Sequence, residues 1–486
     1  MSTQKPGIVA YGAYIPQRRL QRKAVVAANG WFNGALKSQG KGERAMANWD
    51  EDAVTMAVAA ARDCLTGMDR EAVGTLDFAS TTFPFEDRLN AGIVAGALNL
   101  GENVSAYDRA ATQRAGTSAL TDALAGEGAR LVVAAEKRRT KAASPLELTS
   151  GDAAAAFLVG SENVIAELVA RATRTVDFVD HYRGQGVAYD YTWEERWIRD
   201  EGYNKIVPAT LKDLFAATDV KPSEVTHFCM PCTLAKVAGS VAKKAGIPDA
   251  AVRDNLHAVC GEAGAAHALV LLAQALEEAK PGDVICVASF GQGCDAMLFR
   301  VTDAIASLPK RRGVAGHLAR RREEANYQKF LAFNDNIEIE RGMRSELDKA
   351  TALTALYRKR DMLTGFVGGK CNVCGTLQFP RTNVCVNPNC NAFHSQEPQP
   401  FADMKGRIMS FTADNLTYTA DPPACYGMVQ FEEGGRLMID FTDIAPDELK
   451  VGKPMDMVFR IKDYDPQRGF TRYFWKATPA MEAAHG

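Results

Sequence analysis

The chain has 486 residues, of which 47% are apolar and 24% are charged, with a formal net charge of −2. This length suits about three domains with substantial buried cores. The near-neutral charge argues against a surface that coats nucleic acid, and no apolar run approaches membrane-spanning length. The first residues enter a strand pattern without a signal sequence. We therefore expect a cytoplasmic protein whose 11 cysteines are metal ligands and free thiols rather than disulfides.

An internal duplication organises the first part of the chain. The run LDFAST, which begins at Leu76, leads through Ala-rich segments to RLVVAAE and GDAAAAFLVG. The run THFCMP, which begins at Thr226, leads in the same order to DVICVASFG and CDAMLFRV. Short apolar strands that alternate with helices are typical of a layered α/β domain whose strands are covered on both faces. We predict two pseudo-repeats, residues 1–165 and 166–305, with the Ala- and Gly-rich helices in the centre.

Residues 306–365 have a different composition, because Arg, Lys and Glu are interleaved in helix-favouring segments. The arginines alone would attract a phosphate, but the mixed sign of the charges favours a salt-bridged helical surface. We predict a solvated helical linker over residues 306–365.

Four cysteines follow in one stretch rich in Gly, Pro and Asn: Cys371, Cys374, Cys385 and Cys390. Two thiolate pairs at this spacing close a tetrahedral site that has no position left for a substrate. Residues 366–398 are therefore predicted to form a zinc ribbon with a structural metal ion. His394 lies just beyond the last cysteine, but four sulfur atoms already fill the site.

Residues 399–486 contain five runs in which apolar and polar residues alternate. Gly, Pro and Asp separate these runs, as expected for turns between strands. The pattern predicts a small β-barrel of the OB type.

Residues 1–305 resemble the thiolase superfamily, in the branch of hydroxymethylglutaryl-CoA synthase and the type III ketoacyl synthases. The resemblance is carried by the runs GIVAYGAYIP, EDAVTMAVAAARDCL, RAGTSAL, SGDAAAAFLVG, AKVAGSVAKKAGI and SFGQGCDAMLFRVTD. Residues 366–480 resemble the rubredoxin-like ribbon and OB domain that accompany such proteins as a separate subunit. The resemblance implies a duplicated five-layer α/β fold, a coenzyme A thioester as substrate and a homodimer or higher homo-oligomer.

The catalytic positions of that family hold different residues in this chain. At the positions of the nucleophilic Cys, the catalytic His, the acidic residue of the first half and the last catalytic Asn, this sequence has Gln113, Cys229, Thr81 and Glu262. A shift of one residue at the last position would select Gly261 or Cys260 instead. Because an amide cannot be acylated, the family's acyl-enzyme mechanism does not transfer to this chain.

A pocket rebuilt for aldol or retro-aldol cleavage needs a base for a β-hydroxyl group and a donor for the thioester enolate. Glu262 is the first candidate base, since burial at the start of a central helix raises the pKa of a carboxyl group. The alternative is a carboxylate that only stabilises the helix N-terminus. Gln113 is the candidate donor to the enolate oxygen, and the alternative is that it only fills space.

The long insertion before the second repeat supplies two more candidates. His181 or Tyr182 would serve as an acid or base, unless the segment is an ordinary surface loop. Cys229 and Cys260 are candidates to line the pocket as small, weakly polar groups.

The first functional hypothesis is therefore an aldolase or retro-aldolase that acts on a β-hydroxyacyl-CoA, in concert with a partner enzyme of the same pathway. This hypothesis is an analogy at the level of the fold. The alternatives are an acyltransferase like hydroxymethylglutaryl-CoA synthase with altered residues, and a non-catalytic acyl-CoA-binding scaffold whose OB domain delivers substrate.

Overall fold

The computed structural model describes residues 6–346, 350 and 352–480 and divides the chain into two compact units. The first unit runs to Ile337 without the segments Trp49–Glu51 and Gly96–Asn99. These two segments and the residues from Glu338 onward make the second unit. Within the described ranges, no helix has the length and apolar character needed to cross a membrane.

The strands up to residue 337 are β1 Gly7–Tyr14, β2 Arg18–Gln21, β3 Glu43–Met46, β4 Val73–Ala79, β5 Ser105–Arg109, β6 Ala129–Glu136, β7 Ala153–Gly160, β8 Ala166–Thr175, β9 His181–Tyr182, β10 Tyr191–Thr192, β11 His227–Cys229, β12 Val284–Phe290, β13 Gly293–Val301 and β14 Arg322–Glu324. The helices are α1 Arg22–Asn29, α2 Ala53–Cys64, α3 Asn90–Ala97, α4 Ala115–Ala123, α5 Leu146–Thr149, α6 Glu195–Trp197, α7 Val207–Ala216, α8 Val237–Ala245, α9 Gly264–Glu278, α10 Gly313–Ala319 and α11 Tyr327–Phe333. A π-helical segment, Ile198–Ile206, connects α6 to α7.

One long sheet has the strand order β11-β12-β13-β8-β1-β7-β6-β4-β5. Its two halves repeat the same pairing, because β1 runs antiparallel to β7 as β8 does to β13, and β4 runs parallel to β6 as β11 does to β12. Among the described residues, the halves meet at β1 and β8 through two paired positions, Gly7 with Glu167 and Ile8 with Ala166. The sheet is therefore two related half-sheets joined by a short seam.

Helix α9 lies between the two half-sheets, since it packs against β6 and β7 on one side and β11 and β12 on the other. Its residues from Gly264 to Ala273 are all buried, as expected for a helix that is apolar all round. Helix α4 lies beside α9, while α2 covers β1 and β7 and α7 covers β8 and β13. The predicted duplicated five-layer fold is confirmed.

Helices α4 and α9 approach each other closely at Gly116. A Cβ atom added at Gly116 would lie 2.3 Å from the carbonyl oxygen of Ala265. This distance is far below van der Waals contact, so the position requires glycine at the present helix separation.

The structure differs from the predicted linker over residues 306–337, which form part of the first unit. Helix α10 packs against β1 and α9, and β14 pairs in parallel with β2. Val314 and Phe330 are buried side chains of these short elements. The two short helices of this charged segment, α10 and α11, contain apolar residues that pack into the first unit.

In its described part, the second unit has two small sheets and two short α-helices, α12 Leu353–Arg358 and α13 Arg360–Leu363. The first sheet has the order β16-β15-β17, and the second has the order β20-β19-β18-β21-β22. The strands are β15 Val367–Cys371, β16 Leu377–Gln378, β17 Gln396–Pro400, β18 Gly406–Asp414, β19 Ala424–Phe431, β20 Arg436–Asp440, β21 Pro454–Asp465 and β22 Phe470–Pro479. A bridge from Phe441 to Ala477 brings the end of β20 to β22, which agrees with the predicted OB-type barrel.

Buried charges contribute to the interior of the second unit. Lys476 Nζ lies 2.9 Å from Asp50 Oδ2, and Arg460 Nη2 lies 3.0 Å from both Glu51 Oε1 and Asp443 Oδ2. All five side chains are at most 4% exposed. Such groups are tolerated in an interior only when they are paired.

Candidate functional site

The four cysteines of the ribbon form one cluster. Cys371 Sγ lies 3.9 Å from Cys390 Sγ, and Cys374 Sγ lies 3.6 Å from Cys385 Sγ. All four sulfur atoms lie within 4.8 Å of one another. A tetrahedral zinc–thiolate site with bonds of ~2.3 Å has sulfur atoms about 3.8 Å apart, so the cluster fits a zinc ribbon. The cluster does not include His394, whose ring packs against Phe393 at 4.1 Å.

Hydroxyl groups surround the sulfur atoms. Ser395 Oγ lies 3.2 Å from Cys371 Sγ, and Thr376 Oγ1 lies 3.2 Å from Cys374 Sγ. Donors of this kind orient metal-bound thiolates. The ribbon therefore offers a metal site with a complete set of four sulfur ligands and polar support.

Gln113 lies in the turn just before the central helix α4, where the sequence resemblance implies the nucleophile position. Thr112 Oγ1, next to it, donates to the carbonyl oxygen of Gly291 at 2.8 Å. A Cβ atom at Gly291 would lie 3.0 Å from Thr112 Oγ1 and 3.3 Å from the Gln113 nitrogen. The loop between β12 and β13 thus touches the turn that presents Gln113.

Gln113 contacts the predicted candidate His181. Gln113 Nε2 lies 3.2 Å from His181 Nε2, and His181 Nδ1 lies 2.9 Å from Asp180 Oδ2. A carboxylate accepts the Nδ1 proton, which leaves Nε2 as an acceptor for the amide of Gln113. This assignment follows from the contacts. The three side chains therefore form one hydrogen-bonded chain, in which Gln113 donates to His181 and His181 donates to Asp180.

His181 and Tyr182 occupy opposite faces of the short hairpin formed by β9 and β10. Tyr182 pairs with Tyr191, and His181 pairs with Thr192. Because successive strand residues point to opposite faces, Tyr182 lies on the face away from His181. Its side chain is 52% exposed, and its ring lies 5.4 Å from the ring of Tyr191.

Glu262 precedes α9 and faces the buried guanidinium of Arg138. Glu262 Oε2 lies 3.7 Å from Arg138 Nη1, and the Glu262 side chain is 13% exposed. The second arm of Arg138 binds the carboxylate of Asp190. Burial raises the pKa of Asp190, but the neighbouring charge of Arg138 holds this pKa below its ordinary value. Arg138 therefore joins the start of α9 to the hairpin.

Thr81, which the sequence resemblance matches to an acidic position, contacts a carboxylate at the end of β6. Glu136, at the end of β6, accepts hydrogen bonds from the Thr81 backbone nitrogen at 2.7 Å and from Thr82 Oγ1 at 2.8 Å. Glu136 is fully buried, and burial raises its pKa. A buried carboxylate thus contacts Thr81.

Cys229 and Cys260 are fully buried. Cys229 Sγ donates to the carbonyl oxygen of Leu271 in α9 at 3.5 Å. Burial raises the pKa of Cys229 to about 12 and that of Cys260 to about 11, so the reactive thiolates are disfavoured. In the described residues neither thiol hydrogen-bonds Gln113 or His181, and their role in lining a pocket stays a prediction.

Sequence reasoning did not assign roles to several groups near this site, among them Glu136, Arg138, Asp190 and Tyr203. Tyr203 lies in the π-helical segment, and burial raises its pKa well above the ordinary value, with Cys232 and Glu262 adding to the effect. A basic run directly after the buried strand β6 was the available signal for Arg138. No spacing rule connects it with Asp190, which lies 52 residues further along.

Two family models match parts of the chain. Residues 399–460 match the model described as ChsH2, C-terminal OB-fold domain. Residues 215–301 match the model of the 3-oxoacyl-[acyl-carrier-protein] synthase III C terminal.

Curated relatives match about two thirds of the chain. Hydroxymethylglutaryl-CoA synthase of Caldivirga maquilingensis is 28% identical over 349 residues, which are 69% of this chain and 99% of that protein. The same enzyme of Aeropyrum pernix is 29% identical over 344 residues, which are 68% of this chain and 95% of that protein.

Solved structures share the fold. An HMG-CoA synthase complexed with CoA superposes with a TM-score of 0.58 at 18% identity, covering 70% of this chain and 92% of that chain. The 3-oxoacyl-[acyl-carrier-protein] synthase III of Aquifex aeolicus superposes with a TM-score of 0.51 at 20% identity, covering 61% of this chain and 99% of that chain.

Proposed function

We propose that this chain, in which a thiolase-like domain similar to hydroxymethylglutaryl-CoA synthase and ketoacyl synthase III is joined to a ChsH2-type OB-fold domain, acts on a CoA thioester. The reaction is cleavage or formation of a carbon–carbon bond without an acyl-enzyme. The similar proteins are named for condensing reactions, and one is described in complex with CoA. Gln113 stands where an acyl-accepting cysteine would be, so the bond change proceeds on the thioester itself.

The observation that carries the proposal is the chain from Asp180 through His181 to Gln113. In the cleavage direction, the β-hydroxyl group of the substrate replaces the Gln113 N–H at the single lone pair of His181 Nε2. His181 Nε2 then accepts the hydroxyl proton, and the β-carbon becomes a carbonyl as the Cα–Cβ bond breaks. The electron pair of that bond forms the thioester enolate, whose oxygen accepts the second N–H of Gln113. The imidazolium, stabilised by Asp180, then returns its proton to Cα. The products are a shorter acyl-CoA and an aldehyde or ketone.

Glu262 is the second candidate base. Its contact with Arg138 at 3.7 Å makes it part of an ion pair, whereas His181 presents an imidazole nitrogen beside Gln113. We therefore expect His181→Asn to lower kcat by about 10²- to 10⁴-fold, the usual contribution of a general base. Glu262→Gln is expected to have the smaller effect, and a larger loss in Glu262→Gln would return the role of base to the carboxylate.

The test is incubation with panels of β-hydroxyacyl-CoA and simple acyl-CoA thioesters, followed by chromatography of the CoA products. Tyr182→Phe is the matched control, because Tyr182 lies on the other face of the same hairpin. Loss of turnover in Tyr182→Phe but not in His181→Asn would assign the proton transfer to Tyr182.

The same incubations with CoA thioesters distinguish two other functions. Saturable binding of acyl-CoA without turnover would support a non-catalytic scaffold. An acyl adduct on a cysteine, detected by mass spectrometry, would support an acyltransferase. The raised pKa values of Cys229 and Cys260 favour the aldolase over that acyltransferase, because acyl transfer requires a thiolate.

The ribbon is proposed to hold one zinc ion in a structural role, since four sulfur ligands leave no open position.

The first unit is proposed to form a homodimer. Among the described strands β5, Ser105–Arg109, pairs only with β4 and forms one edge of the long sheet, so a second copy would extend the sheet across a twofold axis. Light scattering that shows a stable monomer at micromolar concentration would contradict the dimer.

A further inference from the structure

The proposed base lies on a hairpin that has little structure of its own. We call residues 180–193 the site hairpin. Its strands β9 and β10 have two residues each, and its turn, residues 183–188, is exposed. Such a short ladder is not stable alone in water, so the position of His181 depends on contacts with other elements.

Asp190 provides the strongest of these contacts. Its side chain is only 6% exposed although it lies on a surface hairpin. Its carboxylate binds the guanidinium of Arg138 and accepts from Arg183 Nη1 at 2.8 Å. Arg183 in turn donates to the backbone carbonyl of Thr81. One carboxylate therefore connects the site hairpin to the segments that follow β6 and β4.

Arg138 is a rigid anchor for this carboxylate. It is 5% exposed and also faces Glu262. A Cβ atom at Gly264 would lie 3.2 Å from Arg138 Nη1, so the start of α9 packs directly against the guanidinium. The planar guanidinium has fixed donor directions. The position of Asp190 is thus set by the same side chain that contacts the start of the central helix α9.

The remaining contacts of the hairpin are weaker. The Trp193 nitrogen donates to the Asp180 carbonyl at 2.9 Å, a bond within the hairpin, and Gln292 Nε2 reaches the His181 carbonyl at 3.5 Å. The Tyr189 hydroxyl also donates to Asn336 Oδ1 at 3.2 Å, and the Arg139 guanidinium lies 5.4 Å from the centroid of the Tyr189 ring. None of these contacts is a buried, charge-assisted pair like that of Asp190 with Arg138.

We propose that Asp190 is a positioning residue that latches the site hairpin to Arg138 and thereby holds His181 in hydrogen-bonding distance of Gln113. This inference rests on the proposed function for its effect on turnover. The latch itself is a property of the fold and has a readout that does not require activity.

The experiment compares Asp190→Asn, Asp190→Glu and Asp200→Asn in the full chain. Asp200→Asn is the matched control, because Asp200 forms an exposed pair with Arg199 at 2.9 Å in the same insertion. Backbone hydrogen exchange is followed by mass spectrometry on peptides that cover the site hairpin and on peptides from β12 and β13. Asp190→Asn is expected to exchange about 10-fold faster in the hairpin only, since local opening becomes easier. Asp190→Glu keeps the charge and is expected to recover part of the protection.

Turnover provides the second readout. Asp190→Asn is expected to lower kcat by about 10- to 100-fold with little change in KM, since a displacement near 1 Å costs this much in rate. His181→Asn is expected to lose turnover while its hairpin stays protected, so a failure of the base assignment is distinguishable from a failure of the latch. If the backbone hydrogens of the site hairpin exchange at the same rate in Asp190→Asn as in Asp200→Asn, the latch proposal is wrong. Faster exchange throughout β12 and β13 in both Asp190 variants would also overturn it, because the residue would then support the whole fold.

Discussion

The four-cysteine cluster draws its ligands from one stretch between Cys371 and Cys390, whereas the site around Gln113 and His181 is assembled from segments far apart in the chain. The cysteine knuckles lie in small β-elements, and a bound ion would stabilise the fold around itself. The Gln113 site relies on the packed layers of the first unit to hold its groups in register. A site built locally is encoded in sequence spacing, and a site built by topology is encoded only in the fold.

Replacing cysteines of the ribbon tests this contrast with the largest expected effect. We expect one zinc ion per chain and its loss in Cys371→Ser combined with Cys385→Ser, with unfolding of the ribbon, because structural zinc contributes about 10–16 kcal/mol of apparent binding free energy. Metal analysis and hydrogen exchange of β15–β17 provide the measurement. Cys425→Ser, in the same unit but outside the cluster, is the control. Well-folded protein without zinc would contradict the assignment.

The buried charges of the second unit sharpen the comparison. Asp50→Asn leaves Lys476 without its 2.9 Å partner, and breaking a buried pair costs about 3–5 kcal/mol. We expect a lower urea midpoint for the second unit and faster exchange in β21 and β22. Asp440→Asn is the control, since its pair with Lys462 is 43–48% exposed and exposed pairs are worth less than about 1 kcal/mol. Equal effects of the two substitutions would show that the buried cluster adds nothing specific.

A buried carboxyl in the first unit gives a smaller, pH-dependent effect. Glu147, which accepts from the Tyr327 hydroxyl at 2.9 Å, has its pKa raised by burial from 4.5 to about 6. The folded state therefore binds this proton more tightly than the unfolded state, and the resulting stability, about 2 kcal/mol, is present below pH 4.5 and is lost as the pH rises through about 6.

Glu147→Gln removes this proton linkage. Thermal unfolding midpoints of the variant and the wild type are compared at pH 4.5 and pH 7.5. The midpoint of the variant minus that of the wild type is expected to be larger at pH 7.5. Glu162→Gln, at an exposed position, should show no such difference. A Glu147→Gln variant with the same pH profile as the wild type would show that this carboxyl titrates alike in both states.

The duplicated fold, the ribbon and the OB-type strands were predictable because each has a repeating signal: helix and strand periods, paired cysteines, and alternation. The packing of residues 306–337 was not predictable, since the charged runs beside α10 and α11 dominate the composition of the segment and the apolar stretches within the two helices are short. At the Gln113 site, His181 was a candidate from its place in the insertion. Its contact with Gln113 and the pairing of Arg138 with Asp190 result from tertiary structure, and no local pattern in the sequence encodes them.

The close approach at Gly116 has a consequence for how this site can change in evolution or by design. The turn with Gln113 precedes α4 and Glu262 precedes α9, and the missing side chain at Gly116 sets how near these helices lie. The residues at positions 113 and 262 can therefore be exchanged while the spacing of the helices is inherited unchanged. A single added methyl group at Gly116, three residues after Gln113, would instead push α4 and α9 apart and change the distance between the two positions together.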